Sequence, residues 1–254
     1  MILLKSPRDL EKMSRPAAIV AGAHQRVRET LRAGMTTRDV DRIVEEYIRA
    51  EGGEPAFKGY RGYPASVCAS VNDEVVHGIP GDRVLEPTDI IGVDIGVKAQ
   101  GFYGDAAQTL AVGTASDVAR NLMRVTREAL YAGIGQARIG NRVGDISHAV
   151  QTVVEAAGYS VVRTLVGHGI GRSMHEDPQV PNFGSPGKGA ELKVGMAIAI
   201  EPMVNVGGPD VDVLDDQWTV VTRDGSLSAH FEHTVVITED GPVILTEGAV
   251  AQGE

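Results

Sequence analysis

Seven side chains have the types and spacing to do chemistry together: the acids Asp94, Asp105, Glu201 and Glu232, and the histidines His77, His168 and His175. Asp94 lies within an apolar strand, Glu201 closes the run Ala197-Ile198-Ala199-Ile200, and Glu232 opens the one containing Val235-Val236-Ile237. An unpaired charge buried in such a run is costly. Lys98-Ala99-Gln100-Gly101, between Asp94 and Asp105, reads as a tight turn. Centred on Ala99-Gln100, that turn makes residues whose numbers sum to 199 face each other, placing Asp94 directly opposite Asp105 on one face. Two adjacent carboxylates either raise one pKa or hold a cation between them, and a metal is the simpler account. Taken singly, each aspartate reads better as a solvated strand-end or turn residue, and each loop histidine as an ordinary hydrogen-bonded one. It is four acids at strand positions with three histidines that points to a dinuclear metallohydrolase. His175-Glu176 runs into Asp177-Pro178, so there is no His-Glu-x-x-His helix; a Gly-x-Ser-x-Gly elbow and a phosphate-binding loop are also absent.

The positioning elements follow from hydrophobic periodicity. Residues 8–33, 37–51, 117–132 and 143–157 read as helices, and segments near 65–77, 90–112, 161–167, 195–206, 217–223 and 230–237 as strands, a mixed α/β chain. Val40, Ile43, Val44, Tyr47 and Ile48 form one apolar face that stops at Gly52-Gly53. The pattern recurs 106 residues later as Ile146, Ala149, Val150, Val153 and Val154, stopping at Gly158, with Arg32, Gly34 and Asp39 falling on Arg138, Gly140 and Asp145. His77-Gly78-Ile79-Pro80 resembles His168-Gly169-Ile170-Gly171, and Ile91-Gly92-Val93-Asp94 resembles Ile198-Ala199-Ile200-Glu201. Amphipathic helices ending in glycine coincide by chance; these paired echoes in the same order favour a duplicated helix-helix-strand unit. Two halves related by a pseudo-twofold would each lend an acid and a histidine to one central cleft.

With 254 residues, 43% of them hydrophobic and 23% charged, the chain can bury a sizeable core. A formal net charge of -10 argues against general binding to nucleic acids or anionic membranes. The single cysteine, Cys68, fits a reducing compartment, and the N-terminus lacks the apolar stretch of a signal peptide, so the cytoplasm is expected. No stretch of about 20 apolar residues could span a bilayer.

Asp94, Asp105, His168, Glu201 and Glu232, in their order, spacing and flanking residues, resemble the five metal ligands of the type I methionine aminopeptidases, of the pita-bread fold family. The likeness runs over nearly the whole chain. Local signatures include Tyr60-Arg61-Gly62-Tyr63-Pro64, Val76-His77-Gly78-Ile79-Pro80 and Gly101-Phe102-Tyr103-Gly104-Asp105. The resemblance implies an α+β fold of two helix-helix-strand halves around a central antiparallel sheet, as one catalytic domain over residues 1–254. It implies two divalent ions, of Co, Mn, Fe or Zn, bridged by Asp105 and Glu232, with Asp94 serving one and His168 and Glu201 the other. Such an oxygen-rich set suits hard or borderline ions. The activity implied is removal of the N-terminal methionine of nascent polypeptides when the second residue is small.

By the same resemblance, His175 stabilises the oxyanion, His77 contacts the scissile amide nitrogen, and Glu201 shuttles a proton. Phe57, Tyr60, Tyr63, Cys68, Met174 and Trp218 line the methionine pocket, where sulfur-aromatic contacts are favourable. Met174 stands where many relatives carry an aromatic, and Phe57 where many carry a smaller residue. The resemblance leaves room for a monovalent cation near Asn72, Glu74 and Ser228 and for a transient ribosome contact, and it suggests a monomer. The rival readings are a proline-directed peptidase of the same fold, which usually carries a separate N-terminal domain, and a non-catalytic binding protein; retention of all five ligands disfavours the second.

Overall fold

The structure is a computed structural model describing residues 1–250. Its four helices are α1 (Pro7–Thr30), α2 (Thr37–Ala50), α3 (Asp117–Gln136) and α4 (Val143–Ala156). Ser6 and Thr36 begin α1 and α2 with reciprocal capping boxes to Asp9 and Asp39. In α4 the equivalent Asp145 accepts from the Arg142 amide at 2.7 Å. Helix α1 stops earlier than its periodicity suggests because Leu31 is extended. Helix α3 continues past Gly133, where a Cβ would lie 2.8 Å from Val150; this glycine permits close packing on α4.

The 106-residue repeat is structural. Gly34 (φ 85) and Gly140 (φ 89) precede α2 and α4, and Gly52 (φ 74) and Gly158 (φ 81) follow them. Thr36 pairs with Val84 and Arg142 with Glu191 through isolated bridges at matching positions. On α2, Val40, Val44 and Ile48 are buried while Ile43 and Tyr47 lie at the margin.

All strand pairs are antiparallel. The first half holds β1 (Glu54–Pro55), β2 (Cys68–Val71), β4 (Ile90–Ala99) and β5 (Phe102–Ala111), with β4 paired to the other three. The second orders β15 (Gly241–Ile244), β14 (His233–Thr238), β9 (Ala197–Ile200), β7 (Val166–Gly169) and β8 (Glu176–Pro181). Two smaller sheets flank them: β13 (Ser228–His230), β10 (Met203–Asn205) and β6 (Ser160–Val161), and β11 (Val211–Val213), β12 (Val220–Thr222) and β3 (Glu74–Val76). The apolar segment 65–77 breaks into β2 and β3 at Asn72, whose φ is 61.

The first half packs α1 and α2 against β4 through Val20, Val44, Ile48, Ile91 and Ile95. The second packs α3 and α4 against β9 and β14 through Leu130, Ile146, Val150, Ile198 and Val235. The halves meet where β5 adjoins β14: Thr234 Oγ1 donates to the Asp105 carbonyl at 2.8 Å, and the Glu232 amide donates to the Ala107 carbonyl at 2.9 Å.

One register differs from the expectation. The β4–β5 turn is centred on Gln100-Gly101 (φ 52 and 77), the left-handed pair of a tight hairpin, which a glycine at the second position favours. Asp94 therefore faces Ala107, and Asp105 faces Gly96. A two-step slip preserves parity, so both aspartates still point to one face, as diagonal neighbours rather than an opposed pair.

Candidate metal centre

Strand β4 presents Asp94 and β5 presents Asp105, while β7 presents His168. Glu201 follows β9 and Glu232 precedes β14, one step beyond the last pair of their ladder, His233 with Ile200. Ligand-type atoms of Asp105, His168 and Glu232 lie within 4.8 Å of one another. His168 Nε2 is 3.6 Å from Glu201 Oε1. His168 Nδ1–H donates to the Gly169 carbonyl at 2.9 Å, which turns Nε2 towards the acids. The flanking glycines are steric requirements: a Cβ on Gly167 would lie 2.4 Å from the Ala199 carbonyl oxygen, and one on Gly169 2.1 Å from that of Asp177.

Asp94 Oδ1, Asp105 Oδ1 and Glu232 Oε1 are buried without a hydrogen-bond partner. Burial pushes Asp94 and Glu201 up to about 7. Burial and then the neighbouring carboxylates hold Asp105 and Glu232 well above their ordinary values. Burial keeps His168 low, hence neutral and able to ligate. Partnerless oxygens on crowded acids beside an imidazole lone pair fit divalent cations, which would replace mutual repulsion with coordination.

These five residues line a cavity of about 290 Å³ together with His77, His175 and every expected pocket residue: Phe57, Tyr60, Tyr63, Cys68, Met174 and Trp218. Tyr63 packs edge-on against Trp218 at 5.1 Å, and its hydroxyl reaches the Val67 and Gly78 carbonyls. Phe57 lies against Gly96, where a Cβ would stand 2.5 Å from the ring. Tyr60 does more than line the wall: its hydroxyl is hydrogen-bonded to His175 Nδ1 at 2.7 Å. Burial and then the Arg61 charge lower the His175 pKa and favour a neutral ring, which can accept the hydroxyl proton at Nδ1 and keep its own proton on Nε2. His77, at φ 60, meets Trp218 edge-on at 6.2 Å. A more open groove of about 720 Å³ beside α1 and α2 is lined by Arg26, Arg32 and Arg42 and includes none of these groups.

His230 escaped the sequence reading. It is buried, with Nε2 unpaired and 3.7 Å from Glu201 Oε2. It sits two positions before Glu232, so strand alternation was the available signal. Leu165 and Met203 also line the cavity unforeseen. At the expected monovalent-cation position, the Ser228 amide donates to the Asn72 carbonyl at 2.9 Å, while the Glu74 carboxylate accepts from the Val71 amide at 2.7 Å.

The sequence pattern of metallopeptidase family M24 matches residues 11–239, and the chain belongs to that family. The pita-bread architecture goes with it: the prolidase from Pyrococcus furiosus, at 23% identity, shares the fold with a TM-score of 0.79 over 96% of this chain and 65% of its own. Within the family the chain stands with the methionine aminopeptidases. Methionine aminopeptidase 1 of Bacillus subtilis (strain 168) is 52% identical over 246 residues, 97% of this chain and 99% of its own. Methionine aminopeptidase 1 of Mycobacterium tuberculosis (strain CDC 1551 / Oshkosh) is 47% identical over 251 residues, 96% of this chain and 94% of its own. The crystal structure of methionine aminopeptidase from Thermotoga maritima superposes with a TM-score of 0.95 at 49% identity, covering 97% of this chain and 99% of that one. The enzymatic class is that of a metal-dependent aminopeptidase acting on N-terminal methionine.

Proposed function

We propose that this enzyme removes the N-terminal methionine from nascent polypeptides whose second residue is small, as a single catalytic domain that acts as a cytoplasmic monomer. The observation that carries the reading is the convergence of partnerless buried carboxylate oxygens on the floor of an apolar, aromatic-walled cavity. Asp94, Asp105, His168, Glu201 and Glu232 hold two divalent ions, of Co, Mn, Fe or Zn. Bound there, the ions would supply a nucleophilic water near neutral pH and polarise the scissile carbonyl. The methionine side chain packs among Phe57, Tyr63, Cys68, Met174 and Trp218. His175 donates from Nε2 to the developing oxyanion. His77 contacts the scissile amide nitrogen, and Glu201 carries a proton from the attacking water to the leaving amine.

A metal-titrated assay on Met-Ala-Ser, Met-Leu-Ser, Leu-Ala-Ser and a peptide with proline at the second position tests this. Release of methionine from Met-Ala-Ser well above the leucine-containing peptides is expected; cleavage confined to bonds before proline would overturn the reading.

A further inference from the structure

The first six residues cross the outside of the segment that carries His175. The Lys5 amide donates to the Gly195 carbonyl at 2.7 Å, and the side chain then turns inward. Its ammonium donates to the Leu3 carbonyl at 2.8 Å and to Glu176 Oε2 at 2.5 Å. Both side chains are 6% exposed, unlike the solvated ion pairs elsewhere on this surface. Glu176 uses its other oxygen to accept the Arg172 amide at 2.8 Å and the Ser173 amide at 3.1 Å. One carboxylate thus closes the turn leading into Met174 and His175, and the Lys5 ammonium neutralises it. Gly171 makes room: a Cβ there would lie 2.4 Å from Lys5 Cε and 2.8 Å from Glu176 Oε1. Asp9, in the first turn of α1, adds a second tie by accepting from Arg172 at 2.9 Å, and the Arg172 guanidinium lies 4.6 Å from the centre of the Phe102 ring.

We propose that Lys5 is a positioning residue for hydrolysis: paired with Glu176, it fixes the 171–175 turn and thereby the approach of His175 to the oxyanion. The segment ahead of α1 is thus a functional part of the site. A buried carboxylate left without its cation pulls in water or a proton, and its hold on the two amides weakens. A displacement of about 1 Å at a catalytic donor costs up to roughly 10²-fold in rate. The inference rests on the role given to His175 under the proposed function.

The test is kinetic and structural, on the metal-loaded full chain. In Lys5→Met, kcat on Met-Ala-Ser should fall roughly 10- to 100-fold with KM nearly unchanged. In a His175→Ala background the same substitution should change kcat by less than about twofold, because the residue it positions is already gone. Hydrogen exchange at the Arg172 and Ser173 amides should accelerate in Lys5→Met while the β4–β5 hairpin stays protected. Should Lys5→Met fail to fold, the Lys5→Met/Glu176→Met pair, which leaves no unpaired charge, should fold and lose kcat to the same extent. Undiminished kcat in either folded variant, or an equal loss in the His175→Ala background, overturns the proposal. The unsubstituted enzyme is the control: its failure to release methionine would sink the proposed function instead.

Discussion

The two halves use the same frame to opposite ends. In the first, α1 and α2 back a hairpin of two ten-residue strands, β4–β5, whose two-residue turn keeps Asp94 and Asp105 on adjacent strands. In the second, α3 and α4 back β9 and β14, but Glu201 and Glu232 are separated by an excursion through β10–β13 that brings Trp218 to the cavity. The histidines diverge more. His168 sits on a strand with Nδ1 tied to its neighbour's carbonyl and Nε2 beside Glu201, whereas His77 leaves β3 at φ 60 and faces Trp218. Duplication supplies a symmetric scaffold; backbone conformation at the repeated His-Gly-Ile decides which histidine turns towards the acids and which towards Trp218.

The largest effect should come from the seam where the halves touch. Asp105→Asn removes a charge shared by both, and a loss of about 4 kcal/mol of transition-state stabilisation, roughly 10³-fold in kcat/KM, is expected with weakened metal binding. Steady-state kinetics with calorimetric metal titration checks this; retention of both metals and full rate would break the idea of a shared centre.

Next is the division of labour. His175→Ala should cost roughly 10²- to 10³-fold in kcat with metal content unchanged, whereas His168→Ala should lose metal. Metal analysis of the two purified variants separates them, and equal metal loss would show that the two histidines are less specialised than described.

A smaller effect concerns pH. Asp94, from the first half, and Glu201, from the second, both stand at about 7 when no ion neutralises them. Their raised values mean that the folded, metal-free site holds protons up to that pH, and binding must displace them. Affinity should therefore rise with pH between 6 and 8, by roughly tenfold for each carboxylate. Calorimetry in buffers of differing ionisation enthalpy would detect more proton release at pH 6 than at pH 8, the difference being the share of Asp94 and Glu201; a flat profile contradicts it.

The smallest effect tests the repeat itself. Thr36 accepts from the Asp39 amide at 3.1 Å, so Thr36→Ala should cost about 1 kcal/mol of stability without altering kcat. At the matching position it is the Asp145 carboxylate that accepts, from the Arg142 amide, so Arg142→Ala should cost less. Denaturant melts of both variants give the comparison.

The helices and the repeat were legible because 3.6-residue periodicity, caps and stop glycines are local signals: Gly52 and Gly158 end their helices where the apolar faces end. All seven chemical residues line one cavity, and an acid in an apolar strand is a signal that can be read from the sequence. What failed was register and edge. The turn was misplaced by one residue because Gln100 adopts a left-handed φ that its type does not advertise. Strand β8 holds two prolines, and β15 begins Gly-Pro; both lie at the edges of their sheet, where a missing amide is tolerated and the sequence pattern is weakest. His230 was passed over because it had no counterpart among the repeated motifs.

Phe57 and Gly96 together give the pocket a replaceable wall panel. A loop ring occupies the space that a strand side chain beside Asp105 would otherwise fill. Shrinking Phe57 alone would leave a dry hollow of the kind that takes up small apolar guests, and enlarging Gly96 alone would drive the ring inward. Changed as a pair, the two positions offer a means of resizing the chamber without replacing Asp94, Asp105, His168, Glu201 or Glu232.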